Sequence, residues 1–412
     1  MTLQRQLLWT LLLQGGGGVA LLVSTVWLGK ALGPGQQGQF NQLKSVIEFG
    51  ATLACFGMPQ ALYVHAQTGR LRLPAARRLA VFVAWLGLPV GAGLALAGSL
   101  SSPMQLVVPL ALAVAFGALH LQWRALTLLA DATWRFNLVT LLPQLLLLPL
   151  AATAVMLGGL SAPQLAWGMG ASFLVGAFVA GRMLSTSPAM SQPAAGVAPA
   201  ADVVQFRKLF QHGAATWIAA SLGTLAVVLL QHTAQAREGP AALGLISLAL
   251  LVSQVPLTPL NYALPLLLRH RLRGTPRSRV AMRASSFLPA LPMLVLAALA
   301  WWLGRWRSDL WMGAGYEGLN LLVAWLLVAA GAEAATRLAL VHAQAEDRPG
   351  RAALTEAVRV VVLVAGVFSG LDLGAASGLL TLALWWAGAA WLALATLWWL
   401  SRSGALLHTG PS

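Results

Sequence analysis

The chain has 412 residues, of which 58% are hydrophobic and only 9% are charged, whereas a soluble domain usually carries about 25% charged residues. These values exclude a soluble globular protein and indicate that the chain folds inside a membrane. The net charge of +15 does not indicate a nucleic-acid partner, because the arginines are spread over short loops between apolar runs rather than gathered in a recognition motif.

Twelve apolar runs follow one another along the chain, and each is long enough to cross a bilayer as a helix of about 20 residues. The first follows Arg5 as a signal peptide would, but no small-residue cleavage site is evident, so we expect an uncleaved helix. The sequence predicts an all-α polytopic membrane protein. The predicted spans are 6–32, 39–67, 76–100, 104–130, 136–158, 162–186, 206–231, 240–268, 280–304, 318–344, 352–371 and 376–401.

Basic residues alternate between the two sides of this arrangement. Of the 26 lysines and arginines, 21 fall on the side that carries both termini, 4 fall on the other side, and Lys44 lies within a helix. The larger group includes Arg124, Arg337 and Arg359. By the positive-inside rule, both termini are predicted to be cytoplasmic.

A polar interval rich in Ala, Pro and Ser interrupts the apolar runs after the sixth span. We interpret residues 188–205 as a flexible cytoplasmic linker. It separates an N-terminal six-helix bundle, residues 1–187, from a C-terminal six-helix bundle, residues 206–412.

A short signature recurs in the two halves, at the outer turn between the first two helices of each. Gly33-Pro34 followed by Gly38 returns as Gly239-Pro240 followed by Gly244, at an offset of 206 residues. Proline fixes the turn and glycine permits close helix approach. Chance matching in a chain rich in Gly, Ala and Leu is the alternative explanation. A true repeat of six spans has parallel topology.

Ionisable side chains inside a span are costly unless they face a cavity or a partner, so those of the predicted second span are candidate site residues. Lys44 and Glu48 are four residues apart and share a helix face with Asn41. Lys44 lies about 7 Å inside the span and can snorkel, whereas Glu48 lies roughly 13 Å inside. The two residues either face a functional cavity or form a structural ion pair.

The second half carries different candidates. At the positions that match Lys44 and Glu48 it has Leu250 and Gln254, so any cationic site at these positions belongs to the first half alone. Gln254 and Asn261 are further cavity candidates. Glu333 and Arg337 form either a snorkelling pair or part of an inner gate. Candidate hinge or gate residues, chosen because glycine and proline loosen or kink a helix, are Gly15, Gly16, Gly17, Gly18, Pro256, Pro259 and Pro265.

No cofactor is expected. Cys55 is the only cysteine, which excludes an intramolecular disulfide and a cysteine metal site. The sequence shows no nucleotide, haem or metal motif, so energy for any transport would come from ion gradients or from substrate supply.

The sequence resembles the bacterial polysaccharide flippases of the multidrug/oligosaccharidyl-lipid/polysaccharide exporter superfamily. The run from Leu28 to Phe40, LGKALGPGQQGQF, followed by Glu48-Phe49-Gly50 and Met58-Pro59-Gln60-Ala61, is similar to the opening of those proteins. The resemblance implies two six-helix bundles that flip a lipid-linked oligosaccharide of the polyprenyl-phosphate type by alternating access. It implies that Lys44 contacts a phosphate or anionic sugar of the substrate, with Glu48 as its partner or as a proton or ion site, and a structural ion pair is the alternative. It also implies a bacterial inner membrane location, and polysaccharide polymerase or glycosyltransferases as partners beside membrane lipids.

Three alternatives stay open at this point. A cation-coupled multidrug-type exporter of the same superfamily would depend on buried carboxylates. A peptidoglycan-precursor flippase would usually have fourteen helices and several cavity arginines. A membrane enzyme of the polysaccharide pathway would usually carry a large outer loop with catalytic residues, and the outer loops here are short, so we do not expect an enzyme.

Overall fold

The computed structural model of the chain describes residues 3–67, 71–97, 103–129, 133–186, 206–261, 263–264, 267, 287–306, 312, 315–345, 350–369 and 378–406. Within these ranges the chain forms helices and no strand. The helices are α1 (Leu3–Ala54), α2 (Met58–Gln67), α3 (Leu73–Ala84), α4 (Gly87–Ala97), α5 (Pro103–Thr127), α6 (Thr133–Met156), α7 (Ala162–Ser185), α8 (Phe206–Glu238), α9 (Pro240–Gln254), α10 (Ala290–Trp306), α11 (Leu319–Ala345), α12 (Gly350–Phe368) and α13 (Gly378–Leu406).

The long helix α1 contains the first Gly-Pro signature and kinks there. Gly33 has φ 81° and ψ 172°, and Gly239, before α9, has φ 86° and ψ −173°. This backbone region is open almost only to glycine. The two signatures therefore share one unusual conformation, as a structural repeat requires. We call the end of the bundle with these glycines the turn end and the end where α1 begins the terminal end.

The twelve predicted spans all correspond to helices. Nine helices in the described ranges are long and apolar enough to cross a membrane. The first of them, Leu8–Ala54, corresponds to two predicted spans, one before its kink and one after it. The predicted ninth and eleventh spans are the shorter apolar helix α10 and the more charged helix α12. The predicted all-α architecture of two repeated bundles is confirmed. The predicted linker 188–205 lies outside the described residues.

Two spans are interrupted where the sequence predicted continuous helices. The predicted second span breaks at Cys55, Phe56 and Gly57, and Gly57 adopts φ 72°. A Cβ on Gly57 would overlap the backbone of Gly213 in α8, so the break permits close contact between the halves. The predicted third span breaks between α3 and α4, where Gly87 lies against the backbone of α5.

Each half has its own apolar core. One cluster of buried side chains runs from Leu21 to Met169, and another runs from Ala226 to Leu394. The halves meet mainly where the α1 segment after the kink packs on α9. This contact leaves a space between the halves on the terminal side of it.

Candidate functional site

A cavity of about 770 Å³ lies between the two halves. Asn41 and Thr52 both line it and are eleven residues apart on one helix, so the cavity extends along the axis of α1 by about 17 Å. Its described charged lining residues are Lys44, Glu48, Arg124, Glu333, Arg337, Glu356 and Arg359. Its apolar lining includes Leu121, Leu128, Phe136, Trp217, Leu251, Leu340 and Trp386.

The structure brings the five predicted cavity residues to this one space. Asn41, Lys44 and Glu48 line it from the first half, and Gln254 and Asn261 line it from the second. The sequence placed them in two separate halves, and the packing of α1 on α9 joins them. Their roles toward a substrate stay predictions.

Lys44 and Glu48 form an ion pair along one helix face. Lys44 Nζ donates a hydrogen bond to Glu48 Oε1 at 2.7 Å. The side chains are 20% and 43% exposed, respectively. Half of the Glu48 side chain is therefore accessible from the cavity, and the pair is bonded within one helix rather than between helices.

The second half carries a buried ionic network around Glu333. Arg337 Nη2 donates to Glu333 Oε2 at 3.0 Å, and Gln254 Nε2 donates to the same oxygen at 3.2 Å. Arg359 Nη1 lies 3.1 Å from Glu333 Oε1. Arg337 also donates to Asn261 Oδ1. The network thus joins α11, α12 and the helical segments on both sides of the Val255–Leu257 turn.

Arg359 lies within α12 and inside the predicted span 352–371, so it is a buried residue of the helix and not part of a basic loop. Its side chain is 7% exposed, pairs with Glu356 Oε2 at 2.8 Å and lies over the ring of Trp386 at 5.3 Å. A buried arginine needs such partners because an unpaired charge in the membrane is costly. Glu356 also lines the cavity and is not among the predicted site residues. The spacing of three between Glu356 and Arg359 inside an apolar helix was the available signal.

The interpretation of Glu333 and Arg337 as a snorkelling pair is not what the structure shows. Glu333 is 4% exposed and Arg337 is 29% exposed, and both point into the cavity between the halves. Snorkelling would carry the charged heads out to the membrane surface. The gate role stays a prediction.

The candidate hinge residues cluster where α1 passes the end of α9. A Cβ on Gly15 would lie 3.7 Å from Pro259, and one on Gly18 would lie 3.5 Å from Thr258. Gly16 faces open space, whereas a Cβ on Gly17 would meet the Gln144 side chain. The helix tightens to a 3₁₀ turn at Val255–Leu257, which contains Pro256. Pro265 lies outside the described residues.

Toward the terminal end, aromatic side chains from both halves close part of the cavity. Phe56 stacks on Trp217 with ring centroids 5.2 Å apart, and Phe210 packs against both rings. Trp217 Nε1 donates to the Leu53 carbonyl oxygen at 3.0 Å.

At the turn end the halves are in direct contact, in what we call the turn-end seam. A Cβ on Gly38 would lie 2.7 Å from the Gly244 backbone nitrogen. Gln42 Nε2 donates to Gln235 Oε1 at 2.8 Å.

Tyr316, from the loop before α11, adds a third contact to the turn-end seam. Its hydroxyl donates to Gln37 Oε1 at 3.1 Å. Burial raises the pKa of Tyr316 to about 12, so the hydroxyl keeps its proton at physiological pH. The seam closes the cavity toward the turn end.

Solved structures with this architecture are transporters of the MOP superfamily. An outward-facing multidrug resistance MATE family transporter superposes with a TM-score of 0.66 at 12% identity, covering 99% of this chain and 98% of that chain. An inward-facing one gives 0.64 at 12% identity and 96% of each chain.

A third similar structure is a MOP superfamily transporter from Pyrococcus furiosus. Its TM-score is 0.56 at 12% identity, over 99% of this chain and 98% of that chain, and the reverse polarity of its binding pocket suggests a different function for it. No protein-family model and no curated protein matches the sequence of this chain. At such identities the likeness establishes a shared fold.

Proposed function

We propose that this chain, whose fold is that of MATE transporters of the MOP superfamily, flips a lipid-linked oligosaccharide of the polyprenyl-phosphate type across the membrane by alternating access. The observation that carries the proposal is the cavity between the halves, with charged and apolar side chains on its walls.

The chemistry of the walls suits an amphiphile with an anionic head. Lys44 presents a cationic group to the cavity, and a phosphate or pyrophosphate is attracted to such a group. Side-chain amides such as Gln254 and Asn261 suit sugar hydroxyls. The apolar part of the wall tolerates the first units of a prenyl chain.

Alternating access is supported by the division into two bundles. The described contacts of the turn-end seam are close glycine contacts with Leu243, Pro34 and Pro240 and a few hydrogen bonds, and each half has a buried apolar cluster of its own. Similar folds occur in both outward-facing and inward-facing structures. We place the protein in a bacterial inner membrane, with both termini cytoplasmic and the pathway's glycosyltransferases or polymerase as partners.

A flipping assay in proteoliposomes tests the proposal. The purified protein is reconstituted with a radiolabelled prenyl diphosphate N-acetylglucosamine, and an added galactosyltransferase modifies only the head groups that face outside. We expect nearly all of the lipid to be modified with the protein present and only the outer-leaflet share in protein-free vesicles. Equal modification in both would overturn the proposal.

A second candidate function is cation-coupled export of drug-like amphiphiles. The observation in its favour is the pair of buried carboxylates, Glu333 and Glu356. Both are bonded to arginines, which supply the positive charge that a coupling cation would otherwise bring. Ethidium efflux driven by a sodium or proton gradient in inverted vesicles, abolished by Glu333→Gln, would establish this function instead.

A further inference from the structure

We propose that Glu48 is an internal substitute for the phosphate of the substrate. While no substrate is bound, its carboxylate neutralises Lys44, and the anionic head group displaces it from the Lys44 ammonium during transport. This inference rests on the proposed function and assigns the head-group site to one wall of the cavity.

The exposure of the Lys44–Glu48 pair makes such an exchange inexpensive. Glu48 is 43% exposed and its described ion-pair partner is Lys44, one turn earlier on the same helix. If an anion replaces Glu48 beside the Lys44 ammonium, water in the cavity hydrates the Glu48 carboxylate. Ion pairs with this much solvent access contribute little net energy, so an incoming phosphate with more charge and more acceptor oxygens can compete with the carboxylate.

Asn41 provides an independent indication of a ligand at the same place. Its side chain is 6% exposed and lines the cavity, and within the described part of the chain Asn41 Nδ2 has no hydrogen-bond partner. Buried polar groups normally have one. Asn41 precedes Lys44 by three residues and therefore shares its helix face. An amide donor beside an ammonium is a suitable pair of groups for phosphate oxygens.

The ionic network of the second half cannot exchange in this way. Glu333 and Arg359 are 4% and 7% exposed and form an ion pair. Glu333 also accepts hydrogen bonds from Gln254 and Arg337. Taking one arginine away would leave a buried carboxylate short of its partners, which is strongly unfavourable. The network therefore holds the helices of its half together while the anion is bound elsewhere.

The ion pairs on the two walls agree with this division. On the first-half wall the carboxylate of the Lys44–Glu48 pair is 43% exposed. On the second-half wall the carboxylates of Glu333 and Glu356 are 4% and 16% exposed. At the positions that match Lys44 and Glu48 the second half presents Leu250 and Gln254. Among the described ion pairs of the lining, Lys44–Glu48 is therefore the one whose carboxylate an incoming anion can replace.

Competition by Glu48 also keeps the phosphate from binding too tightly. A transported group must leave its site as readily as it enters, and a carboxylate that returns to Lys44 assists its departure. Removing this carboxylate should therefore strengthen binding and slow turnover together, a combination that a purely structural ion pair would not produce.

Binding of farnesyl phosphate to the purified full chain, measured by isothermal titration calorimetry, tests the inference. We expect Glu48→Gln to bind about three- to tenfold more tightly than the wild type, because the competing anion is gone. Lys44→Gln and Asn41→Ala should bind several-fold more weakly, and Lys44→Arg should retain binding. In the flipping assay, Glu48→Gln should be slower than the wild type at saturating substrate.

Matched controls separate a local effect from a change in total charge. Glu238→Gln removes one carboxylate and Lys30→Gln one ammonium at exposed positions outside the described cavity lining, and neither should change binding. Inorganic phosphate should bind more weakly than farnesyl phosphate, but the affinities of the variants should follow the same order. This result would identify the head group as the recognised part of the lipid. Farnesol should bind all variants alike.

The outcomes distinguish the inference from the proposed function. If farnesyl phosphate binds the wild type and Glu48→Gln binds it equally or more weakly, the exchange is wrong while an anionic lipid substrate stands. If Lys44→Gln binds as tightly as the wild type, the head-group site lies elsewhere and the inference is also wrong. If no phosphate probe binds the wild type, both proposals fail.

Discussion

The charged side chains of the cavity fall into two classes by burial, and burial decides what each can do. Lys44 and Glu48 are solvent-accessible partners within one helix, whereas Arg359 is enclosed by Glu333, Glu356 and Trp386. An accessible pair can separate at small cost, and an enclosed one cannot. The same type of ion pair is therefore exchangeable in one half and structural in the other.

Arg359→Met should lower the free energy of unfolding by about 3–5 kcal/mol, because it leaves two buried carboxylates short of a partner. Reversible unfolding by SDS in mixed micelles measures this change. Lys44→Met is the matched control, since it breaks a solvent-accessible pair, and it should cost less than about 1 kcal/mol. Equal losses in the two variants would contradict the division into structural and exchangeable pairs.

At the residue scale, the sequence predicts which side chains line the cavity. It predicts less well which hydrogen bonds and ion pairs those side chains form. Polar groups in a span need an inward surface, and this requirement can be applied without knowing the tertiary structure. It predicts that the cavity is lined by Asn41, Lys44, Glu48, Gln254 and Asn261. The bond from Gln254 to Glu333 joins residues 79 apart and depends on how α9 packs on α11. Helix packing of this kind cannot be obtained from one chain's hydropathy.

At the scale of helices, the two Gly-Pro signatures are the clearest product of the repeat. Gly33 and Gly239 have the same backbone conformation, and a Cβ on either would meet no atom within 4 Å. Any cost of a side chain at these positions therefore comes from the backbone alone. Gly16 is also free of neighbours but lies inside the regular helix α1.

Gly33→Ala and Gly239→Ala should each destabilise the protein by about 1–3 kcal/mol, because alanine is excluded from this backbone region. Gly16→Ala should leave stability unchanged or raise it, since alanine favours a helix. The thermal unfolding midpoint of each variant in detergent measures the difference. If Gly16→Ala destabilised as much as Gly33→Ala, backbone strain would not be the cause.

The sequence predicts that a helix is present at each span better than it predicts where the helix breaks or ends. The breaks at Cys55–Gly57 and before Gly87 fall in apolar sequence, where hydropathy gives no boundary signal. Both breaks coincide with close backbone contacts, between Gly57 and Gly213 and between Gly87 and α5. A glycine in an apolar run is compatible with a continuous helix or with a break, and only the neighbouring helix decides between them.

At the scale of the whole molecule, transport by alternating access requires the turn-end seam to open. Gln42 and Gln235 hydrogen-bond across it, so a short reversible cross-linker between cysteines at these two positions would hold it shut. Cys55 is the only cysteine, and its replacement by alanine provides a background free of other thiols.

The variant Gln42→Cys, Gln235→Cys in the Cys55→Ala background should lose flipping activity on treatment with a bis-methanethiosulfonate cross-linker and regain it with reductant. The flipping assay before and after treatment measures this, and each single-cysteine variant serves as a control that the cross-linker should not affect. Full activity of the cross-linked protein would show that the seam does not open during transport.

The seam's described contacts join glycines, prolines, Leu243, glutamines and a protonated tyrosine, and these groups carry no formal charge. A charge that crosses the membrane field changes in energy by about 2.3 kcal/mol per 100 mV, and parting these contacts moves no such charge. The opening step should therefore be insensitive to membrane voltage. Any electrical dependence of the transport cycle should arise where Lys44 and the phosphate move through the field.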